Sequence, residues 1–258
     1  IDIAARLRAA GLNAPEVIAR DLTQGFLLLS DLGTRTYLPE LDEAHVESLY
    51  GDAFDALQTM QTRVDAHGLP LYDTLRLTTE MELFPTWFLG RHLGLELGGD
   101  LPAVIEDCMQ RLLNSAAEQP VAFVHRDYHS RNLMIVPGAN PGIIDFQDAV
   151  IGPITYDLVS LLKDCYIQWP LARVYGWAES YRQRLLAAGV VEVGTTRWRR
   201  WFDWMGLQRH LKVLGIFARL NYRDGKSGYL NDLPLVLDYT LGVCSRYGEL
   251  SAFGDWLE

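Results

Sequence analysis

Four polar residues in the middle of the chain have the types and spacing that phosphoryl transfer needs. His125 follows a short apolar run, Asp127 comes two residues later, Asn132 five after that and Asp145 thirteen after that. Transfer from Mg·ATP requires one carboxylate that accepts the proton of the attacking hydroxyl. It also requires an amide oxygen and a second carboxylate that hold Mg²⁺ against the phosphates. The pattern therefore predicts Asp127 as the catalytic base and Asn132 and Asp145 as Mg²⁺ ligands.

The same residues allow two other interpretations. Asp127, Asn132 and Asp145 could be ordinary turn-capping side chains, although their order between a strand and a hairpin favours the catalytic interpretation. His125, Asp127 and His129 could instead ligate zinc, which would leave more of the polar residues unexplained. We interpret His125 itself as a structural residue that hydrogen-bonds the backbone of the loop.

Short strands are expected to position these groups. The apolar run 121–124 predicts a strand that leads into the polar loop. Residues 133–136 and 142–145 predict a hairpin around a turn that contains Pro and Gly. Asn132 immediately precedes one strand of this hairpin and Asp145 ends the other. The hairpin therefore brings both predicted metal ligands to one face.

Helical patterns account for most of the remaining chain. Two short β-rich runs, 16–20 and 26–30, precede a polar, Gly-containing break at 30–33. The predicted helices cover 1–10, a long segment capped by Asp42 and ending near Val64, 78–93 with Pro85 bending or splitting it, a segment beginning at Pro102, 155–165, 170–188, 196–224 and 232–247. We therefore expect an α+β protein, with a small part at 1–33 and a mostly helical part at 34–258.

The composition limits the classes of function. The 258 residues include 23 Lys+Arg and 33 Asp+Glu, and the formal charge of −10 argues against non-specific binding to nucleic acid or to an anionic membrane. No apolar run approaches the roughly 18 residues of a spanning helix. Three widely spaced cysteines fit a reducing cytoplasm. The alternating cations and aromatics at 197–204 favour an amphipathic helix with inward tryptophans over a nucleic-acid surface.

Three motifs resemble the aminoglycoside phosphotransferase and choline kinase family of the protein-kinase-like fold. They are the His-x-Asp-x-x-x-x-Asn loop from His125, the Ile-Asp-Phe at 144–146 and the Gly-Pro-x-x-Tyr-Asp-Leu from Gly152. The Ala-Pro-Glu segment and activation loop that protein kinases carry do not follow Asp145. The resemblance extends over about residues 12–258. It implies a small lobe followed by a large, mostly helical lobe.

Further strings at 25–33, 145–149 and 208–219 resemble bacterial cell-wall recycling kinases that act on the anomeric hydroxyl of N-acetylmuramate or N-acetylglucosamine. That resemblance implies ATP-dependent formation of the sugar α-1-phosphate, with Mg²⁺ as cofactor. The expected partners are the sugar and ATP, and the cysteines and the acidic charge favour a cytoplasmic protein that binds neither nucleic acid nor membrane. The oligomeric state is left open, with a monomer favoured. The open alternatives are a kinase of aminoglycosides or of other small-molecule hydroxyls, and a non-catalytic nucleotide- or sugar-binding regulator.

The family resemblance also implies roles for residues outside the catalytic loop, which comprises residues 125–132. The backbone around Ser30, Asp31 and Leu32 would hydrogen-bond the adenine, as the linker between the lobes does in this fold. Asp157 would be a structural residue that braces the catalytic region. An ordinary salt bridge or hydrogen bond is the alternative for each candidate sugar contact. These candidates are Asp164, Gln208, Arg209 and His210.

The small lobe is expected to be truncated at its N-terminus. A complete small lobe carries a loop that covers the phosphates and a lysine that binds them. In this sequence no Gly-rich loop precedes residue 25, and the first lysine is Lys163. A degenerate kinase is the alternative explanation, but the intact catalytic set favours truncation.

Overall fold

A computed structural model describes residues 1–97 and 102–258. In chain order its elements are α1 (Asp2–Ala9), β1 (Val17–Asp21), β2 (Phe26–Leu29), a 3-10 turn (Leu38–Glu40), α2 (Val46–Arg63), α3 (Thr74–Met81), a π-helix (Phe84–His92), α4 (Ala103–Ala117), β3 (Val121–Val124), β4 (Leu133–Met134), β5 (Gly142–Ile143), β6 (Val150–Pro153), α5 (Tyr156–Leu162), α6 (Leu171–Ala187), α7 (Thr195–Asp224), a 3-10 helix (Ser227–Asp232), α8 (Leu233–Cys244), a 3-10 turn (Gly248–Leu250) and α9 (Ser251–Leu257). This mixture confirms the expected α+β class. None of the described helices is both long and apolar enough to cross a bilayer.

The chain divides into two compact units. The first comprises residues 1–71, 120–164 and 176–193, and the second comprises 72–119, 165–175 and 194–258. All of the strands in the described part of the chain belong to the first unit, and α6 contributes residues to both. The division into lobes at residue 33 stays a prediction.

Antiparallel pairing organises the strands of the first unit. Within the described ranges they form three two-stranded sheets, in which β1 pairs with β2, β3 with β6, and β4 with β5. The amide of Ile143 in β5 donates to the Asn13 carbonyl at 2.8 Å, and the amide of Tyr37 donates to the Leu133 carbonyl in β4 at 2.8 Å. The predicted hairpin is therefore confirmed, and a further segment is hydrogen-bonded along each of its outer edges.

Helical spacing of apolar residues explains α2. Six apolar residues at this spacing are buried: Val46, Leu49, Tyr50, Ala53, Leu57 and Met60. Val64, at the C-terminal cap of the helix, is half-buried. The predicted start of the helix was wrong, because α2 begins at Val46 and not directly after Asp42. The Asp42 carboxylate instead accepts the amides of Ala44 and His45, each at 2.9 Å, in the turn before the helix.

The second unit contains α7, a helix of 30 residues. Its three tryptophans, Trp198, Trp201 and Trp204, are buried, while Arg197 and Arg199 are exposed, which confirms the amphipathic interpretation of 197–204.

A glycine allows α7 to approach its neighbour closely. A Cβ on Gly215 would overlap the backbone carbonyl group of Leu83, just before the π-helix. Pro85, near the start of that π-helix, lies where the predicted helix over 78–93 splits in two.

Candidate active site

His125 lies directly after β3 at the start of the catalytic loop and is completely buried. Its Nε2 lies 3.0 Å from the carbonyl oxygen of Ile144, and its Nδ1 accepts the backbone amide of Asp127 at 3.3 Å. A ring that donates from Nε2 and accepts at Nδ1 is neutral. Burial is the largest cause that lowers the pKa of His125, from 6.5 to about 4. The imidazole therefore joins the loop to the strand end at Ile144 without carrying charge.

The carboxylate of Asp157, in α5, binds the first two backbone amides of the loop. Its Oδ2 accepts the amide of His125 at 2.6 Å, and its Oδ1 accepts the amide of Arg126 at 3.0 Å. Arg126 has φ 78°, a left-handed conformation that non-glycine residues rarely adopt. The two hydrogen bonds to a fully buried carboxylate hold the backbone in this conformation immediately before Asp127.

The predicted base and the two predicted metal ligands come together. The Asn132 side-chain amide donates to the backbone carbonyl of Asp127 at 3.0 Å and to Oδ2 of Asp145 at 3.3 Å. Asp145 follows β5 and also has a left-handed backbone, with φ 62°. Its other oxygen, Oδ1, accepts the side-chain amide of Gln147 at 2.6 Å. Three residues that are up to 18 positions apart in sequence thus form one polar cluster.

The donor set of this cluster fits Mg²⁺ that arrives with phosphate groups. Because Asn132 donates through Nδ2, its Oδ1 can serve as a hard oxygen ligand beside the Asp145 carboxylate. Mg²⁺ commonly binds one or two protein oxygens and completes its shell with water and substrate phosphate. Among the described residues, no group of three or more His, Cys, Asp or Glu could hold a metal ion. The zinc interpretation is contradicted, since both ring nitrogens of His125 are engaged in hydrogen bonds.

A second buried carboxylate reaches the middle of the catalytic loop. Asp164 lies two residues after the end of α5 and is 1% exposed. Its Oδ2 accepts the backbone amide of Ser130 at 3.0 Å and also the Ser130 hydroxyl. The structure therefore places this predicted sugar contact against the loop itself.

The predicted adenine-binding segment lies beside the hairpin. The amide of Ser30 donates to the Glu16 carbonyl at 2.9 Å, and its hydroxyl accepts the Glu16 amide at 2.8 Å. Asp31 accepts the amide of Gly33 at 2.8 Å.

Leu32 brings this segment to the strand that precedes Asp145. A Cβ on Gly142 would lie only 3.0 Å from Cδ1 of Leu32. Glycine in β5 therefore allows the side chain of Leu32 to pack closely on the hairpin.

The other predicted sugar contacts lie in the second unit, at the buried centre of α7. Arg209 donates to Sγ of Cys165 at 3.4 Å, and the ring of His210 stacks on Tyr239 with 4.9 Å between centroids. The side-chain amide of Gln208 makes no hydrogen bond within 1–97 and 102–258. The role of these three residues in sugar binding stays a prediction.

Sequence reasoning assigned no role to Ser130 or Gln147. Ser130 lies inside the loop motif, but its partner Asp164 is 34 residues away, and no local pattern connects them. Gln147 follows Asp145 by two residues, and an amide donor so close to a predicted ligand is a signal that could have identified it.

Comparison with known proteins agrees with this geometry. The sequence profile of the Phosphotransferase enzyme family matches residues 1–202. An N-acetylmuramate/N-acetylglucosamine kinase from Pseudomonas putida is 46% identical over 96% of this chain and 74% of its own. Proteins of the same name from Pseudomonas aeruginosa and Neisseria meningitidis are 45% and 42% identical, over 100% and 93% of this chain and 76% and 73% of their own.

Solved structures show the same fold at low sequence identity. A choline/ethanolamine kinase family protein from Mesorhizobium loti superimposes with a TM-score of 0.65 at 15% identity, covering 99% of this chain and 80% of its own. An ADP-bound aminoglycoside phosphotransferase superimposes with a TM-score of 0.59 at 16% identity, covering 94% and 81%. The predicted protein-kinase-like fold of the aminoglycoside phosphotransferase type is confirmed.

Proposed function

We propose that this chain, which belongs to the phosphotransferase enzyme family, is an ATP-dependent kinase of N-acetylated amino sugars. The reaction would convert the anomeric hydroxyl of N-acetylmuramate or N-acetylglucosamine to the α-1-phosphate during peptidoglycan recycling. The observation that carries this proposal is that relatives matching nearly the whole chain are named as kinases of these two sugars. The cluster around Asp127 supplies the groups that the reaction needs.

In this mechanism Asp127 orients the attacking hydroxyl and takes its proton as the bond to phosphorus forms. The backbone of Asp127 is held on both sides, because its amide donates to His125 and its carbonyl accepts the side chain of Asn132. Catalysis then depends on alignment of the hydroxyl with the γ-phosphorus, and a fixed loop lowers the entropic cost of reaching that geometry.

Asn132 and Asp145 are the proposed Mg²⁺ ligands. Bound Mg²⁺ would neutralise charge on the phosphate oxygens. Gln147 and Asn132 each donate to a different oxygen of Asp145, so the carboxylate is oriented before the nucleotide arrives. The amide of Ser30 is already used by Glu16, which leaves the backbone of Asp31 and Leu32 as the proposed contacts of the adenine.

The cellular setting is part of the proposal. We propose a cytoplasmic monomer that binds the sugar and ATP, and neither nucleic acid nor membrane. Dependence on ATP supports this location, and the charge of −10 disfavours polyanionic partners.

Phosphorus NMR of the full-length protein with Mg·ATP tests the proposed reaction. N-acetylmuramate, N-acetylglucosamine and kanamycin would be offered separately. We expect a new phosphomonoester signal coupled to the sugar C1 proton with the first two acceptors. Asp127→Asn should lower the rate by at least about 10²-fold, the scale of general-base catalysis, with ATP binding retained.

The matched control is Asp42→Asn, an exposed carboxylate in the turn before α2, and it should leave the rate unchanged. Phosphate on kanamycin alone would move the function to aminoglycoside modification. Tight binding of ATP with no transfer to any acceptor would favour a non-catalytic regulator. Full activity of Asp127→Asn would contradict the base role.

A further inference from the structure

The segment 156–164, which comprises α5 and the two residues after it, is fully buried and hydrogen-bonds the catalytic loop. Every residue in it is at most 1% exposed, although it contains two aspartates and a lysine. Asp157 lies in the first turn of α5, and Asp164 lies two residues after the helix ends. Both carboxylates bind the same loop.

The two carboxylates hold the loop on opposite sides of Asp127. Asp157 binds the amides of His125 and Arg126, just before the base. Asp164 binds the amide and the hydroxyl of Ser130, three residues after it. Only residues 127–129 lie between the residues that the two carboxylates bind, and this stretch includes the carboxylate of Asp127.

Burial makes this second anchor strong. A buried carboxylate requires hydrogen-bond donors, because removing it from water is costly. For Asp164 the loop provides two donors from one residue, and Ser130 is itself 1% exposed. Hydrogen bonds to a charged acceptor are about twice as strong as neutral ones.

We propose that Asp164 is a positioning residue for the catalytic loop. Together with Ser130 it forms a second anchor that fixes Asp127 relative to Asn132, and it acts through the loop instead of through the sugar. This replaces the role predicted for Asp164 as a sugar contact. The inference rests on the proposed function for its kinetic part only, since the anchor itself is a property of the fold.

Hydrogen–deuterium exchange tests the anchor without any substrate. In the full-length protein, Asp164→Asn should raise amide exchange in the peptide that covers 125–132, because the acceptor of the Ser130 amide is weakened. Ser130→Ala should raise it less, since the amide remains. Ser160→Ala is the matched control, because its buried hydroxyl, in α5, makes no hydrogen bond in the described part of the chain. Unchanged exchange in Asp164→Asn would overturn the anchor.

Steady-state kinetics test how the anchor acts. We expect both Asp164→Asn and Ser130→Ala to lower kcat, by about 10- to 100-fold for the aspartate, because small misplacements of a catalytic group have effects of this size. The KM for the sugar should change less than about two-fold, since binding is unaffected. The kcat of the double variant should be only slightly lower than that of Asp164→Asn alone, because both substitutions remove the same interaction.

Two kinetic outcomes would overturn the proposal. One is a sugar KM raised at least ten-fold in Asp164→Asn with kcat retained and Ser130→Ala unaffected, which would make Asp164 a sugar contact. The other is full additivity of the effects of the two substitutions on kcat. Melting temperatures of all variants identify any that fail to fold, and Ser130→Ala then decides alone. A wild-type protein inactive on every sugar would refute the proposed function, while the exchange experiment still decides the anchor.

Discussion

The buried histidine of the catalytic loop predicts a specific loss of stability in mild acid. The pKa of His125 is lowered from 6.5 to about 4 in the folded protein. Between these values the unfolded chain binds the additional proton, so stability falls as the pH falls, and the loss is complete below about pH 4. A difference of about 2.5 pKa units corresponds to roughly 3 kcal/mol in total, of which about 2 kcal/mol is lost by pH 5.

Urea unfolding of wild-type protein and of His125→Gln, at pH 7.5 and pH 5.0, measures this contribution. We expect the wild type to lose about 2 kcal/mol more than the variant on this acidification, because glutamine does not titrate. The matched control is His67→Gln, at an exposed position, and its unfolding free energy should change between the two pH values as that of the wild type does. Parallel profiles for wild type and His125→Gln would refute the assignment of a neutral, buried imidazole.

Two further predictions concern the proposed metal ligand Asp145 and the packing of α7. Asp145→Asn should raise the Mg²⁺ concentration for half-maximal activity at least ten-fold, which is the scale seen on loss of metal-site groups. The matched control is Asp148→Asn, at an exposed position, and it should not change this concentration. An unchanged Mg²⁺ titration in Asp145→Asn would contradict the ligand role. Gly215→Ala should destabilise the protein by about 3 kcal/mol, because its Cβ would meet the backbone of Leu83. Gly176→Ala, in open space on α6, should stabilise it by about 0.5 kcal/mol, because alanine has the higher helix propensity. Thermal unfolding of both variants checks the sign of each change.

Local sequence patterns were enough to predict that the proposed catalytic base and metal ligands come together. Asp127 and Asn132 lie in one loop, and Asp145 follows a short hairpin, so a few residues of strand pattern were sufficient to bring them together. Long helices such as α2 and α7 could be predicted equally well from the sequence, because their apolar positions repeat over several turns.

Other features depend on contacts that no local pattern encodes. Arg126 and Asp145 have left-handed backbones, which sequence rules expect of glycine. Such a conformation costs roughly 1–2 kcal/mol. Here the hydrogen bonds to Asp157, and those made by the side chain of Asp145, stabilise it. The bond between Asp164 and Ser130 spans 34 residues, so it emerges only in the folded chain.

The burial of α5 has a consequence for how the enzyme reaches its active state. A helix of seven residues is unstable alone in water, so α5 forms only as the surrounding core closes over it. The catalytic loop, in turn, obtains two of its acceptors from Asp157 and Asp164. A partly folded form of the first unit therefore has no ordered catalytic loop. During refolding, phosphoryl transfer should return only with the last step of core burial, which makes the enzyme's own turnover a readout of complete folding.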